Sequence, residues 1–216
     1  DIAPDGDTPE RADYRQVILS AHLHAALHRL NPAIPEATLD EVARQLAKPD
    51  HPSLILSNRA FHEALVGGVP VEVEIDGERR GDRVVLVDFD TPERNRFLVV
   101  NQFTVQGSKQ PRRPDLVCFI NGLPIAVIEL KNLAAEQVGI KDAFHQLQTY
   151  KDELADLFVT NEALVASDGL QARIGSLTAS FERFLPWRTV KNENDRPLLE
   201  YELEKVVRGF FAPALL

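Results

Sequence analysis

A turn signal between two apolar runs constrains this chain more than any other feature. Asn121-Gly122 separates residues 115–120 from residues 124–130. An Asn-Gly pair between such runs is one of the strongest short-range indications of a β-hairpin. The second run is apolar on both faces, which is typical of a central strand covered on both sides. The sequence therefore predicts a hairpin that enters the middle of a sheet.

The second strand ends in charged residues. Glu129 and Lys131 are two positions apart, so on a strand their side chains emerge on the same face. Whether Asp115 joins them depends on the hairpin register. A strict two-residue loop places Asp115 opposite Ile128, whereas a three-residue loop over 121–123 places it opposite Glu129. We predict the longer loop or an equivalent bulge.

Two carboxylates that converge at a strand end offer hard oxygen ligands. Asp115 and Glu129 would suit Mg²⁺ better than zinc or copper, and the backbone carbonyl of Leu130 could add a ligand. Beside such a metal, Lys131 could orient an attacking water. The alternative is structural: Glu129 and Lys131 form an edge ion pair and Asp115 caps a loop.

The rest of the chain predicts an α/β fold with α+β character: a mixed β-sheet flanked by helices, after a helical lead-in. We expect one domain over residues 1–216, with the lead-in at about 8–68, the core at about 69–187 and a C-terminal helix at about 197–212. The predicted helices cover 8–30, 36–46, 53–66, 134–157 and 198–211, and the other predicted strands cover 69–75, 83–89, 97–105 and 163–167. The least structured segments are expected at 106–113 and 191–197.

Charge and composition limit the function. The net charge of −9 predicts weak DNA binding by this chain alone, because affinity for duplex DNA comes mainly from lysine and arginine. Arg112 and Arg113 adjoin Asp115 and could meet DNA phosphates, or could be part of a solvated loop. No apolar run approaches the roughly 20 residues of a membrane span. We expect a soluble cytoplasmic protein with no membrane partner.

Other candidate residues give weaker indications of a functional site. The single cysteine, Cys118, lies in an apolar run and is expected to be a buried hydrophobe rather than a nucleophile. His24 and His28 have a spacing that zinc sites use, with His22 nearby, but no third ligand at the required spacing accompanies them. We therefore predict a solvated or interface face there. No phosphate-binding glycine motif for nucleotides occurs.

The motifs together resemble a known family. The run from Arg113-Pro114-Asp115 to Glu129-Leu130-Lys131, with its central Asn-Gly-Leu-Pro, is similar to the PD-(D/E)xK nuclease motif of type I restriction enzyme R subunits. Further matching segments lie at residues 101–103, 146–150, 167–169 and 175–177. The resemblance covers nearly the whole chain.

The resemblance implies a restriction-endonuclease-like fold and a role for each motif residue. Asp115 and Glu129 would be metal-binding catalytic carboxylates and Lys131 the catalytic lysine. Gln146 and Tyr150, four apart on one helix face, would support the site or contact DNA. A helical carboxylate before the sheet can complete such a site, and the candidate in this chain is Glu63.

The resemblance also implies a reaction and partners. We expect endonucleolytic cleavage of double-stranded DNA with Mg²⁺, for which Mn²⁺ could substitute. Modification (methyltransferase) and specificity subunits would select the sequence, and ATP would bind only to a helicase motor outside this chain. Two alternatives stay open: a nuclease of another defence or repair system, and a non-catalytic DNA-binding or assembly module with the same fold.

Overall fold

The computed structural model describes residues 2–48, 51–75, 77–132, 139–191 and 201–213. Their backbone contacts divide into two compact units. The first consists of the described residues within Asp1–Leu98, Phe119–Pro124 and Asp156–Thr160, and the second of those within Val99–Cys118, Ile125–Ala155 and Asn161–Leu216. The prediction of one domain over residues 1–216 stays a prediction.

The first unit begins with the helices α1 (Ser20–Leu30), α2 (Glu36–Leu46) and α3 (Leu54–Gly67). Each buries residues that recur every three or four positions, as amphipathic helices do. None of the described helices of the chain is long and apolar enough to cross a membrane. The helical lead-in is confirmed over these three elements.

The first helix starts later than predicted. Residues 8–19 are not helical, because the carboxylate of Asp13 accepts the backbone N–H groups of Arg15 and Gln16. Such local side-chain bonds compete with the helical pattern. Leu19 is fully buried at the start of α1. The predicted helix over 8–30 is therefore wrong in its first half.

An antiparallel hairpin follows in the same unit. Strand β1 (Val69–Ile75) pairs with β2 (Glu78–Val84). The predicted β1 is confirmed, but the strand predicted at 83–89 is displaced towards the amino terminus. Val85 leaves the ladder because its N–H and carbonyl both bond the side chain of Asn31.

The five-stranded sheet has the order β3-β6-β7-β8-β9. Its strands are β3 (Phe97–Asn101), β6 (Leu116–Ile120), β7 (Leu123–Leu130), β8 (Ala163–Ser167) and β9 (Ala172–Gly175). Strands β7 and β8 are parallel, whereas β8 and β9 are antiparallel. The sheet is therefore mixed, and the predicted α/β class is confirmed.

Helical segments pack on this sheet within the second unit. Helix α4 (Ile140–Glu153) packs on β8, whereas most of α5 (Ala155–Phe158), which follows it in the chain, belongs to the first unit. The short helix α6 (Glu202–Lys205) continues as a π-helix over Val206–Phe210. Val206 packs in one apolar cluster with Ile128 of β7. The parts of the predicted helices that fall on 134–138 and 198–200 lie outside the described residues.

The hairpin turn differs from our prediction. Asn121 and Gly122 have φ values of 53° and 82°, so the loop between β6 and β7 has two residues. The three-residue loop is wrong. A Cβ on Gly122 would lie 2.5 Å from the carbonyl oxygen of Leu19, which leaves no room for a side chain.

The faces of the two strands nevertheless agree with the predicted site. Leu116 and Cys118 of β6 pack against the cluster that contains Ile128 of β7. Side chains alternate along a strand, so Asp115 and Glu129 share the other face. An uninterrupted two-residue hairpin would put Asp115 opposite Ile128 and away from Glu129. The shared face is what the predicted bulge would give, and that bulge stays a prediction.

Three short strands were missed, wholly or in part, from the sequence. Strand β9 is four residues long, too short for a clear alternation. The strand predicted at 97–105 is divided, because β3 ends at Asn101 and β4 (Val105–Gln106) is separate from it. Strand β4 pairs with β5 (Pro111–Arg112), most of this pair lying in the segment 106–113 that was predicted to be among the least structured.

Candidate active site

Asp115 is held at both carboxylate oxygens. Its Oδ2 accepts the backbone N–H of Leu130 at 2.8 Å, and its Oδ1 accepts the side-chain amide of Gln102 at 2.8 Å. The residue directly precedes β6, so its position is set by the hairpin on one side and by residue 102 on the other. The carboxylate is therefore oriented before any ligand arrives.

Glu129 is a buried carboxylate on β7. Its side chain is 5% exposed, and its Oε1 lies 2.7 Å from Nζ of Lys131, whose side chain is 21% exposed. Burial raises the pKa of Glu129, and the charge of Asp115 raises it further. Lys131 and Tyr150 oppose the rise in pKa by hydrogen bonding to Glu129. The predicted residues Asp115, Glu129 and Lys131 thus form one cluster.

The second oxygen of Glu129 has an unusual environment. Oε2 is buried and has no hydrogen-bond partner among the described residues. Such an unsatisfied carboxylate oxygen is costly unless a cation compensates it. Together with the charge of Asp115, this donor set of hard oxygens fits a divalent cation such as Mg²⁺.

A metal bound at Asp115 and Glu129 would have few ligands from the protein. Among the described residues, no group of three or more His, Cys, Asp or Glu side chains could hold a metal. Mg²⁺ usually keeps several waters and uses only one or two carboxylates, so a pair is compatible with it. A contribution from the carbonyl of Leu130 stays a prediction.

Tyr150 and Gln146 lie together on α4. Tyr150 is 4% exposed, and its hydroxyl lies close enough to Glu129 and Gln146 for both side chains to shift its pKa. Burial raises the pKa of Tyr150, and the charge of Glu129 raises it further, so the hydroxyl remains protonated. The structure therefore brings Gln146 and Tyr150 to the cluster as the helix spacing indicated.

Arg112 has a protein partner. Its Nε donates to Oε2 of Glu153 at 2.5 Å, and Nζ of Lys109 lies 3.9 Å from the other oxygen. The hydrogen bond from Arg112 lowers the pKa of Glu153 and raises the pKa of Arg112 itself. This pair ties β5 to the end of α4, so Arg112 has a structural contact, whereas Arg113 is exposed.

Other candidates lie in the first unit. Glu63 on α3 is exposed and pairs with Arg59 at 3.1 Å, so its role as a ligand stays a prediction. His22 pairs with Glu10, and His24 lies 3.2 Å from Asp40. These carboxylate pairings account for two of the three histidines without zinc.

Two residues of the second unit were missed from the sequence. Gln102 was part of a matching segment but had no assigned role, and its bond to Asp115 depends on a left-handed backbone, with φ 52°. Glu153 had no signal beyond lying three residues after Tyr150. Only the tertiary structure identifies either.

The fold and this cluster define an α/β protein with a buried carboxylate–lysine centre at the end of a strand in a mixed sheet. The family model for the type I restriction enzyme R protein N terminus matches residues 1–183. The chain belongs to that family, as its motifs indicated.

Curated relatives agree with this membership. The chain is 42% identical over 206 residues to the type I restriction enzyme HindI endonuclease subunit of Haemophilus influenzae, covering 94% of this chain and 20% of the relative. It is 36% identical over 196 residues to a Methanocaldococcus jannaschii protein named for the MjaIXP endonuclease subunit, covering 89% and 19%. The chain thus spans about a fifth of the length of these relatives.

Proposed function

We propose that this chain is the nuclease region of a type I restriction R subunit and that it cuts double-stranded DNA with Mg²⁺. The observation that carries the proposal is the buried, unpartnered Oε2 of Glu129 on the sheet face that Asp115 shares. Family membership and the endonuclease names of the relatives support the same reaction.

Asp115 and Glu129 would hold the metal. The two hydrogen bonds to Asp115 leave each of its oxygens a further lone pair for a cation. Glu129 carries a charge that burial disfavours, so a cation would relieve a cost already present in the fold. When bound, Mg²⁺ would polarise the scissile phosphate and lower the pKa of a coordinated water.

Lys131 and Tyr150 act through Glu129. Nζ of Lys131 holds a positive charge against Oε1 of Glu129 while its side chain stays partly open to solvent. From there it can orient the attacking water. Tyr150 remains a hydrogen-bond donor because its pKa is raised. Gln146 would fix the tyrosine hydroxyl in the direction of Glu129.

Family membership supports a proposal for the partners. Double-stranded DNA would be the substrate, and modification and specificity subunits would choose the sequence. ATP would act through other parts of the R subunit. The net charge of −9 agrees with DNA delivery by partners rather than by this chain alone.

The test is nicking of supercoiled plasmid with the protein in excess and Mg²⁺ or Mn²⁺ present. Glu129→Gln and Lys131→Ala are compared with the parent, and Glu182→Gln is the control because that carboxylate is exposed in the same unit. We expect cutting by the parent and the control alone. Equal cutting by Glu129→Gln would contradict the proposal.

If the parent does not cut, a calorimetric Mn²⁺ titration decides between two explanations. Binding that Glu129→Gln abolishes would indicate a metal site that needs partner subunits for activity. Absence of binding would favour the non-catalytic assembly module.

A further inference from the structure

Gln102 adopts a backbone conformation that side chains rarely take. Its φ is 52°, and Asn121 is the other non-glycine residue of the described chain with a positive φ. Left-handed residues other than glycine are uncommon, and they persist where the surrounding contacts hold them. Such positions cluster at functional sites.

Backbone contacts to the Asp115 segment hold this conformation. The N–H of Gln102 donates to the carbonyl of Asp115 at 2.7 Å, and the N–H of Phe103 donates to the carbonyl of Pro114 at 3.1 Å. Phe103 is 1% exposed and anchors the segment in the core. Residue 102 therefore has a fixed position beside Asp115.

The side chain makes a second contact to the same residue. Nε2 of Gln102 donates to Oδ1 of Asp115 at 2.8 Å, while the backbone of Leu130 donates to Oδ2. Two donors on two oxygens fix the plane of the carboxylate. Each oxygen keeps one further lone pair for another partner.

The backbone alone does not explain a glutamine here. Glycine adopts positive φ without steric cost, and the glutamine side chain is exposed, so it contributes little to the core. The amide that reaches Asp115 is the feature that glycine lacks. The strain and the hydrogen bond thus point to the same carboxylate.

We infer that Gln102 is a positioning residue for Asp115. It holds the carboxylate in the orientation in which its free lone pairs bind a divalent cation. This inference rests on the proposed function, because it requires a metal at Asp115. Groups that orient a metal ligand typically change metal affinity by about 10- to 100-fold when they are removed.

The test compares Mn²⁺ affinity with fold stability in the complete chain. Gln102→Gly relieves the backbone strain and removes the amide, whereas Gln102→Leu keeps the strain and a similar side-chain size. Gln106→Leu is the control, since Gln106 is exposed and its amide contacts only the neighbouring Gly107 among the described residues. Calorimetry measures Mn²⁺ binding, and circular dichroism measures the melting temperature.

We expect both Gln102 variants to bind Mn²⁺ about tenfold or more weakly than the parent, with the control unchanged. The glycine variant should melt no lower than the parent, which a merely structural role for the side chain would not give. Parent-like Mn²⁺ affinity in either Gln102 variant would overturn this inference alone. No Mn²⁺ binding by the parent would overturn the metal site of the proposed function and this inference with it.

Discussion

The backbone N–H of Leu130 donates to Oδ2 of Asp115 at 2.8 Å. Leu130 lies between Glu129 and Lys131, so this one bond sets the position of Asp115 relative to both. The N–H belongs to the backbone, so most substitutions of Leu130 would preserve it. The donor of this hydrogen bond is therefore supplied by the backbone of the hairpin and does not depend on the side chain of Leu130.

We expect Glu129→Gln to stabilise the chain at neutral pH while abolishing activity. The folded-state pKa of Glu129 is raised above its ordinary 4.5, so the folded protein binds a proton more readily than the unfolded chain. Its contribution to stability therefore falls as the pH rises from 4.5 through the raised pKa. The amide removes this cost, so Glu129→Gln should raise the free energy of unfolding near pH 7.

Urea unfolding without metal at pH 7 and at the acidic end of the stable range measures this difference. The gain should shrink at acidic pH, where Glu129 is protonated in the parent. Glu74→Gln serves as the exposed control. A variant less stable than the parent at pH 7 would show that the pair with Lys131 outweighs the burial of Glu129.

Tyr150→Phe should weaken the site through Glu129. The hydroxyl lowers the pKa of Glu129 by hydrogen bonding, so its loss raises that pKa and reduces Mn²⁺ affinity near neutrality. The lost bond should also lower the free energy of unfolding by about 1–2 kcal/mol. Calorimetry and urea unfolding test both effects. Tyr201→Phe is the control, because Tyr201 is exposed. The prediction is wrong if the two variants have the same Mn²⁺ affinity and the same free energy of unfolding.

Local sequence patterns predicted some features of this site but not others. Alternation along β7 was enough to place Glu129 and Lys131 on one face, because strand geometry has a period of two. The position of Asp115 also depends on the hairpin register, which a single extra residue changes. The predicted three-residue loop was therefore wrong, although Asp115 and Glu129 do lie on the same face of the sheet.

Other features depend on contacts distant in the sequence. Gln102 reaches Asp115 across 13 residues, and Arg112 reaches Glu153 across 41. No local pattern encodes such pairings. The late start of α1 had a local cause, because the side chain of Asp13 accepts two backbone hydrogen bonds and forms a turn. The helical spacing of apolar residues does not reveal such bonds.

Arg112 and Arg113 should respond differently to substitution. Arg112→Gln removes the bond that lowers the pKa of Glu153, so it should lower the melting temperature at pH 7. This stabilisation is present above pH 4.5 and is lost as the pH falls through the lowered pKa, so the two proteins should converge in acid. Melting curves across pH check this result, and a pH-independent difference would contradict it.

Arg113→Gln changes an exposed arginine next to the site, so we expect no change in melting temperature. If Arg113 contacts a DNA phosphate, duplex affinity should fall and the slope of log K against log salt should decrease by about 1. Fluorescence anisotropy with a short duplex at a series of salt concentrations measures both, with Ca²⁺ in place of Mg²⁺ to prevent cutting. An unchanged slope would remove Arg113 from the DNA interface.

Cys118 should be chemically inert in the folded chain. Burial raises its pKa to about 11, so the thiolate fraction at pH 8 is about one in a thousand. Reaction with Ellman's reagent should be about 100-fold slower in the folded protein than in urea. Cys118→Ser should leave Mn²⁺ binding and plasmid nicking unchanged. Cys118 is half-buried rather than fully buried as the sequence predicted, and a fast reaction in the folded state would contradict its non-catalytic assignment.

Iron-mediated cleavage of the polypeptide shows whether Asp115 and Glu129 together bind a divalent cation. Fe²⁺ with ascorbate and peroxide generates radicals at the bound metal, and mass spectrometry locates the broken peptides. We predict cuts near residues 115 and 129–131 that Mg²⁺ suppresses and Glu129→Gln eliminates. Cuts elsewhere, or the same cuts in Glu129→Gln, would show that Asp115 and Glu129 do not together bind the cation.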